Sequence, residues 1–269
     1  MMKKILGLLT ALMITLQAHA SIAVAPTRIE IDANKLKTNY VTTAIEVRGD
    51  SKQPMRFRVY PGYFTINSNG EMNMDAPSDE HDISKKIRYV PSEFNVMPGK
   101  TQKLRVNIAG ISSLPDGESR AVLYLEDVNA KEFQVDTGMT GIGAQLIVKT
   151  RIGVPVYVDK GKFTRKGEIE SFRVTKDGNR LLADMTIAST GNSKLRCNGK
   201  VQLAQGKKLL HEAQLAEKVI SANGTLTSRD IIEMDNFTEK GEFTLRVVLS
   251  YVDENGKKQN MIKETLINL

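Results

Sequence analysis

Apolar and polar residues alternate with a period of two along most of the chain. The alternation is clear in residues 43–48, 56–60, 104–108 and 121–125. Because successive side chains of a β-strand point to opposite faces, this pattern predicts strands with one buried and one solvated face. Glycine, asparagine and proline recur between these segments, and these residues favour tight turns.

The second half of the chain continues the pattern. Residues 181–187, 201–203, 243–251 and 261–269 each predict a strand. Residues 208–219 allow a helix by their apolar spacing, but we predict a strand or loop there. Short strands with turns at short intervals are typical of β-sandwiches. We therefore predict an all-β fold of two immunoglobulin-like β-sandwich domains joined by a short hinge.

The first twenty residues differ from the rest. Two lysines precede a short apolar run without charge, and small residues occupy positions 18 and 20. This pattern predicts a secretory signal peptide over residues 1–20, with cleavage after Ala20, and therefore a periplasmic location. A polar, glycine-containing stretch at residues 158–162 predicts the hinge. The expected domains are residues 21–158 and 159–269.

Composition argues against several classes of function. The formal net charge is +7 and the charges are scattered, so a nucleic-acid partner is not expected. No later segment is apolar enough to predict insertion in a membrane. The only cysteine, Cys197, is expected to be a half-buried strand residue. No catalytic set, metal-ligand spacing or phosphate loop is evident, so we expect no enzyme activity, no cofactor and no metal.

The segment at residues 141–151 is the unusual strand of the first half. Ile142, Ala144, Leu146 and Val148 fall on one face of it. It is either the closing strand of its own sandwich or a strand that binds a partner. Arg151 ends this segment, and Arg28 opens the first strand. The two arginines are either ordinary exposed residues or a pair lining one cleft, where their rigid donor forks would suit a carboxylate.

Several of these segments resemble the periplasmic pilus (fimbrial) chaperone family of the chaperone–usher pathway. The match covers most of the first predicted domain and is looser in the second. Its motifs are the opening strand with an arginine, the Pro-Gly turn followed by Leu-Arg-Val, the Leu-Pro and Glu-Ser segment with its following strand, and a Thr-Gly-Asn turn. They stand at residues 25–28, 89–106, 114–125 and 190–192.

The resemblance implies a binding mechanism. In that family the chaperone lends its last first-domain strand to a pilus subunit that lacks one, and delivers the subunit to an outer-membrane usher. Donor-strand complementation of this kind implies Ile142, Ala144, Leu146 and Val148 as donor residues. Arg28 and Arg151 would then anchor the subunit's terminal carboxylate and fix the register. Whether the free chain caps its strand by forming a dimer stays open.

The chain departs from that family at two places, and two other functions are possible. The family usually has lysine where Arg151 stands. It also has an aromatic pair and Arg-Pro where this chain has residues 152–155, so the usual interdomain arginine partner of Glu118 is missing. The alternative to a chaperone is an exported tandem immunoglobulin-like module that binds or scaffolds without chaperone activity. An enzyme is the second alternative, and no motif supports it.

Overall fold

The computed structural model describes residues 22–49, 53–129, 131–136, 143–234 and 237–269, with the backbone alone for 131–136 and 143–146. Within these ranges the chain is built from β-strands and three single-turn 3-10 helices, Ala33–Lys35, Ser84–Lys86 and Ile111–Ser113. The predicted all-β fold class is confirmed. The long helix that the spacing in residues 208–219 allowed is absent there, since that segment is strand.

The first half of the chain forms one sandwich with a projecting ribbon. Its strands are β1 Ile22–Ala25, β2 Ile29–Asp32, β3 Tyr40–Gly49, β4 Met55–Gly62, β5 Thr65–Ile66, β6 Met72–Asn73, β7 Ile87–Val90, β8 Glu93–Val96, β9 Thr101–Ala109, β10 Gly117–Asp127, β11 Lys131–Asp136, β12 Gly143–Val148 and β13 Arg151–Lys160. A four-stranded sheet has the order β1-β3-β9-β7, and a five-stranded sheet has the order β2-β13-β10-β4-β8.

The alternation along these strands builds the first core. Inward residues of both sheets, among them Ile45, Phe57, Leu104 and Leu123, are completely buried and form one cluster. The outward residues of the five-stranded sheet carry the polar and aromatic groups described below. In the central pair, β10 runs antiparallel to β13 from Gly117–Lys160 to Glu126–Arg151.

The second half forms another sandwich with its own core. Its strands are β14 Gly167–Asp177, β15 Arg180–Ser189, β16 Leu195–Gln205, β17 Lys208–Ile220, β18 Thr225–Glu233, β19 Glu242–Val252 and β20 Lys258–Asn268. The two sheets have the orders β14-β15-β18 and β17-β16-β19-β20. Phe243, Leu245 and Met185 lie at the centre of this core. The expected domain bounds remain a prediction, which these two separate cores support.

The polar stretch predicted as a hinge begins inside a strand. β13 continues through Asp159 to Lys160, and the chain turns only at Gly161, whose φ is +64°. Asp159 is 3% exposed, and its carboxylate accepts hydrogen bonds from Ser193 and Arg165 at 2.6 Å each, which offset the cost of burying the charge. A Cβ on Gly161 would collide with the Asp116 carboxylate, so glycine is required at this turn. The polar residues of this stretch therefore join the domains rather than separate them.

The burial of the cysteine and the lack of a membrane-spanning segment were the remaining features predicted from the sequence. Cys197 lies in β16 and is fully buried in the second core, so the expected half-burial is wrong. Burial raises the pKa of its thiol to about 12. Among the described residues, no helix has the length and apolar character needed to cross a membrane.

The second core predicts a measurable contrast between two leucines. Leu245 on β19 is completely buried, whereas Leu266 on the neighbouring β20 is 63% exposed. We expect Leu245→Ala to lower the free energy of unfolding by about 2–5 kcal/mol, because it removes buried methyl groups and leaves a cavity. The matched Leu266→Ala should change it by less than about 0.5 kcal/mol. Urea unfolding of the two variants checks this, and equal losses would contradict the assigned faces.

Candidate functional site

A two-stranded ribbon continues from the centre of the first sandwich. β11 follows β10 and pairs antiparallel with β12, which leads into β13. The Asp127 amide donates to the Thr150 carbonyl at 2.8 Å and closes the base of the ribbon. Within the described ranges, β12 pairs with β11 alone, so its other edge carries unpaired backbone groups. Such an edge is a ready template for another strand.

The predicted donor residues fall on this ribbon. Ala144 and Leu146 lie in β12, opposite Val135 and Phe133 of β11. Val148 ends the strand and is 38% exposed, and Ile147 beside it is 56% exposed. Ile142 lies outside the described residues. The structure therefore places three of the four residues on the free-edged strand, and their role as donors stays a prediction.

Arg151 lies at the base of the ribbon and is held by aromatic residues. Its guanidinium stacks over the Tyr124 ring at 4.6 Å and donates to the Tyr60 hydroxyl at 3.4 Å. The Tyr60 hydroxyl in turn donates to Glu126 at 2.5 Å. Arg151 is the first residue of β13, and its position on the outward face follows from the burial of Val154 and Val156 in the core.

Arg28 lies on the same outward face but has different partners. It precedes β2, and its guanidinium is 3.5 Å from both Glu30 and Glu217. Arg196 of the second sandwich is 3.0 Å from Glu30 and 2.8 Å from Glu217. Two arginines and two glutamates thus form a ring across the domain boundary. Burial favours the neutral carboxyl of Glu30, but the charges of Lys194, Arg196 and Arg28 outweigh this and lower its pKa.

The structure does not bring the two predicted anchor arginines together. Ile29 pairs with Val156 in the parallel β2–β13 register, so Arg28 and Arg151 are four residues apart along neighbouring strands. At 3.3 Å per residue this is about 13 Å. Arg28 instead shares Glu30 and Glu217 with Arg196, which sequence reasoning did not single out. No local signal could have found it, because Arg196 reaches Arg28 only through the packing of two sandwiches.

A second group of charges fills the junction between the sandwiches. Glu118 accepts from the Lys194 backbone amide at 2.9 Å, and its carboxylate is 3.4 Å from the Lys194 ammonium. The side chains of Glu118 and Lys194 are only 1% and 4% exposed. The Lys194 ammonium also lies 4.1 Å from the centroid of the Tyr157 ring. Burial, and then the charge of Glu118, raise the pKa of Tyr157 to about 12, so its hydroxyl stays protonated at neutral pH.

Lys194 supplies the cation that pairs with Glu118 across the junction. The resemblance implied that Glu118 lacked its usual partner on β13, and Asp159 stands opposite it there. A cation from the second sandwich supplies the charge, 3.4 Å from Glu118 and 3.9 Å from Asp159. Asn192 of the Thr-Gly-Asn turn reinforces the junction, because its carbonyl accepts from the Glu118 amide at 3.0 Å.

Clustered metal ligands and clefts were compared among the described residues. Among them, no group of three or more His, Cys, Asp or Glu side chains is arranged to hold a metal ion. A cleft at the junction is lined by Glu30, Arg165, Lys194, Arg196 and Lys258, together with polar residues of β19. Lys194 and Arg196 both pair with Glu30 in this cleft, an arrangement suited to holding the two surfaces together.

Comparisons with known proteins give structural neighbours. No protein-family model matches the sequence, and no curated protein matches it. Solved structures do match over most of the chain. The E. coli chaperone DraB is 15% identical, with 93% of this chain and 98% of that chain covered and a TM-score of 0.39. The class 5 fimbriae chaperone CfaA is 14% identical, with 91% and 98% covered and a TM-score of 0.45.

A third neighbour comes from a complex. It is the structure of CsuC with the tip adhesion subunit CsuE, from archaic chaperone–usher Csu pili of Acinetobacter baumannii. The matched chain is 16% identical in sequence, with 93% of this chain and 98% of that chain covered and a TM-score of 0.43. All three neighbours are chaperones by name. At such identities and TM-scores, the role of this chain rests on its own residues.

The buried charges of the junction predict that one isosteric substitution greatly lowers the free energy of unfolding. Glu118→Gln keeps the size of the side chain but leaves the buried Lys194 ammonium without its nearest countercharge. We expect it to lower the free energy of unfolding by about 3 kcal/mol. The matched Glu264→Gln breaks a pair with Arg246 in which both side chains are about half exposed, and should cost less than about 1 kcal/mol. Denaturant unfolding distinguishes them, and similar losses would refute the central role of Glu118.

Proposed function

We propose that this protein is a periplasmic chaperone that binds and stabilises pilus subunits by donor-strand complementation and passes them to an outer-membrane usher. The observation that carries the proposal is the free edge of β12. It belongs to an apolar strand at the segment where the sequence resembles the donor strand of pilus chaperones. In this proposal the protein is a binding protein without catalytic chemistry, cofactor or metal.

An exposed edge suits an unfinished sandwich as its partner. Backbone N–H and C=O groups along β12 supply hydrogen bonds, while alternate side chains enter the partner's groove. Val148 leaves apolar surface in solvent, which a partner would cover. A small sandwich lacking one strand has the complementary defect, namely an open groove and unpaired backbone groups. When β12 inserts into the groove, the unpaired backbone groups of both proteins form hydrogen bonds and the apolar groove is covered.

The ribbon also explains how the strand is presented. β11 holds one edge of β12 in register from Lys131–Val148 to Asp136–Gly143, so the opposite edge stays extended. An extended strand that is already ordered loses less conformational entropy on binding. In the proposal Ile142, Ala144, Leu146 and Val148 face the partner and Ile147 faces away, as their alternation predicts.

Arg28 and Arg151 are proposed to fix the register of the partner by binding its terminal carboxylate. Arg28 lies 3.5 Å from Glu30 and Glu217, so an incoming carboxylate would compete with groups that already pair with it. Arg151 would have to leave the Tyr124 ring to reach the same carboxylate. Each arginine therefore has existing partners to give up when it binds the carboxylate.

Alternation in the donor strand is tested by a pair of substitutions. Leu146→Asp places a charge on the face proposed to enter the partner, whereas Ile147→Asp places the same charge on the other face. Since burial of a leucine side chain contributes about 1.5–3 kcal/mol, Leu146→Asp should weaken binding at least about tenfold. The measurement is co-purification of tagged variants with pilus subunits co-expressed from neighbouring genes. Equal binding by both variants would contradict donor-strand complementation.

The anchor is tested by single substitutions rather than a double one. A charge-assisted hydrogen bond contributes about 1.5–3 kcal/mol, so Arg28→Ala should weaken subunit binding about tenfold or more. Arg151→Ala should weaken binding by a similar factor. Arg105→Ala removes an exposed arginine from the opposite sheet and is the control. If all three variants bind like the parent chain, the carboxylate anchor is wrong and a general binding module becomes the better explanation.

A further inference from the structure

A short hairpin covers the outward face of the five-stranded sheet. It consists of β5 and β6, joined by a turn in which Asn67 and Glu71 form a backbone hydrogen bond of 3.0 Å. Ile66 and Met72 of the hairpin pack against a separate apolar cluster on that face, which includes Tyr124 and Tyr157. We name residues 64–73 the strap. Its two strands are too short to be stable alone, so this packing holds it in place.

The tip of the strap reaches the second sandwich. The Ser68 carbonyl accepts a hydrogen bond of 2.7 Å from the Thr227 amide on β18. β18 is an edge strand that pairs with β15 on its other side, so this amide points away from its own sheet. Gly70 has a φ of +84°, and a Cβ placed on it would lie 3.0 Å from the Leu226 side chain. The tip is therefore fitted closely to the edge of β18.

The base of the strap is tied to the charged junction. Arg120 on β10 donates to the Phe64 carbonyl at 3.1 Å and to the Tyr63 hydroxyl at 3.2 Å. The same guanidinium lies 3.4 Å from Glu118, which holds Lys194 of the second sandwich. Contacts thus run from the second sandwich through Glu118 and Arg120 to the strap, and return to the second sandwich at Thr227.

We propose that the strap is an interdomain brace that fixes the angle between the two sandwiches. Two domains joined by a short linker and a small polar interface are expected to move relative to each other. A second attachment at β18, away from the Glu118–Lys194 pair, prevents the second sandwich from rotating about that pair. The angle in turn sets the distance between the β11–β12 ribbon and the second sandwich. The brace does not depend on the chain being a chaperone.

The proposal is tested by a distance distribution between the two sandwiches. Lys100 is exposed in the turn before β9, and Lys207 is exposed in the turn after β16. Both turns lie at strand ends remote from the junction, so Lys100→Cys and Lys207→Cys report the angle when they carry spin labels. The native Cys197 is fully buried, and its thiol stays protonated at the pH of labelling, so it does not react. Pulsed dipolar spectroscopy on the full-length mature chain gives the distribution.

Two variants release the tip, and each has a matched control. Thr227→Pro removes the amide that donates to Ser68, at an edge position where proline is tolerated, whereas Thr227→Val keeps the amide. Gly70→Ala adds a Cβ beside Leu226 at a positive φ. Gly178→Ala adds the same group at a φ of +59°, where nothing lies within 4 Å. The expected result is a broader and shifted distribution for the first member of each pair only.

Each outcome decides for or against the brace. Broadening in Thr227→Pro and Gly70→Ala, with narrow distributions in both controls, supports it. An unchanged distribution in both release variants overturns it, because the Glu118–Lys194 pair would then hold the angle alone. Equal broadening in the controls also overturns it. Circular dichroism verifies folding, and if Thr227→Pro does not fold, Gly70→Ala and its control decide alone. Subunit binding is not read out, so a failure of the proposed function leaves this test intact.

Discussion

The buried ion pair between Glu118 and Lys194 is the interaction on which the arrangement of the two sandwiches depends. Neither charge could be buried alone, because the desolvation of an unpaired ion costs several kcal/mol. Each is therefore stable only when the other sandwich is in place. Glu118 also contacts Arg120, and Lys194 lies near Asp159, so the pair connects the linker, the strap and both cores. Burial of these charges makes the junction specific in geometry, since a displaced domain would leave them unpaired.

The ribbon differs from the junction, because it leaves backbone groups exposed and unpaired where the junction buries paired charges. Its strand β12 keeps one edge without a partner in the described part of the chain, where most proteins cover or shorten such an edge. The sandwich behind it has a completely buried core, and the Asp127–Thr150 hydrogen bond closes the base of the ribbon. A packed base and a free strand edge are both needed for the proposed strand donation. The proposed function depends on this contrast more than on any single side chain.

The charged residues show where sequence reasoning was incomplete. The arginines at positions 28 and 151 were expected in one cleft, but Arg151 stacks on Tyr124 and Arg28 pairs with Glu217 of the second sandwich. The polar stretch at residues 158–162 was predicted as a hinge, and the structure adds that its Asp159 is buried in the junction. In each case the sequence shows a charge but not its partner. Position in the chain carries no information about a partner 76 residues away, as for Glu118 and Lys194.

The sequence by itself determined the all-β fold class and most of the strands, because period-two alternation and turn residues are local properties that each strand carries within itself. Only the tertiary structure decided which charges meet, that Lys194 pairs with Glu118, and that a ten-residue strap reaches β18. Those features depend on strand order, register and the packing of one sandwich against the other. Alternation fixes which face a side chain is on, but only packing decides what that face touches.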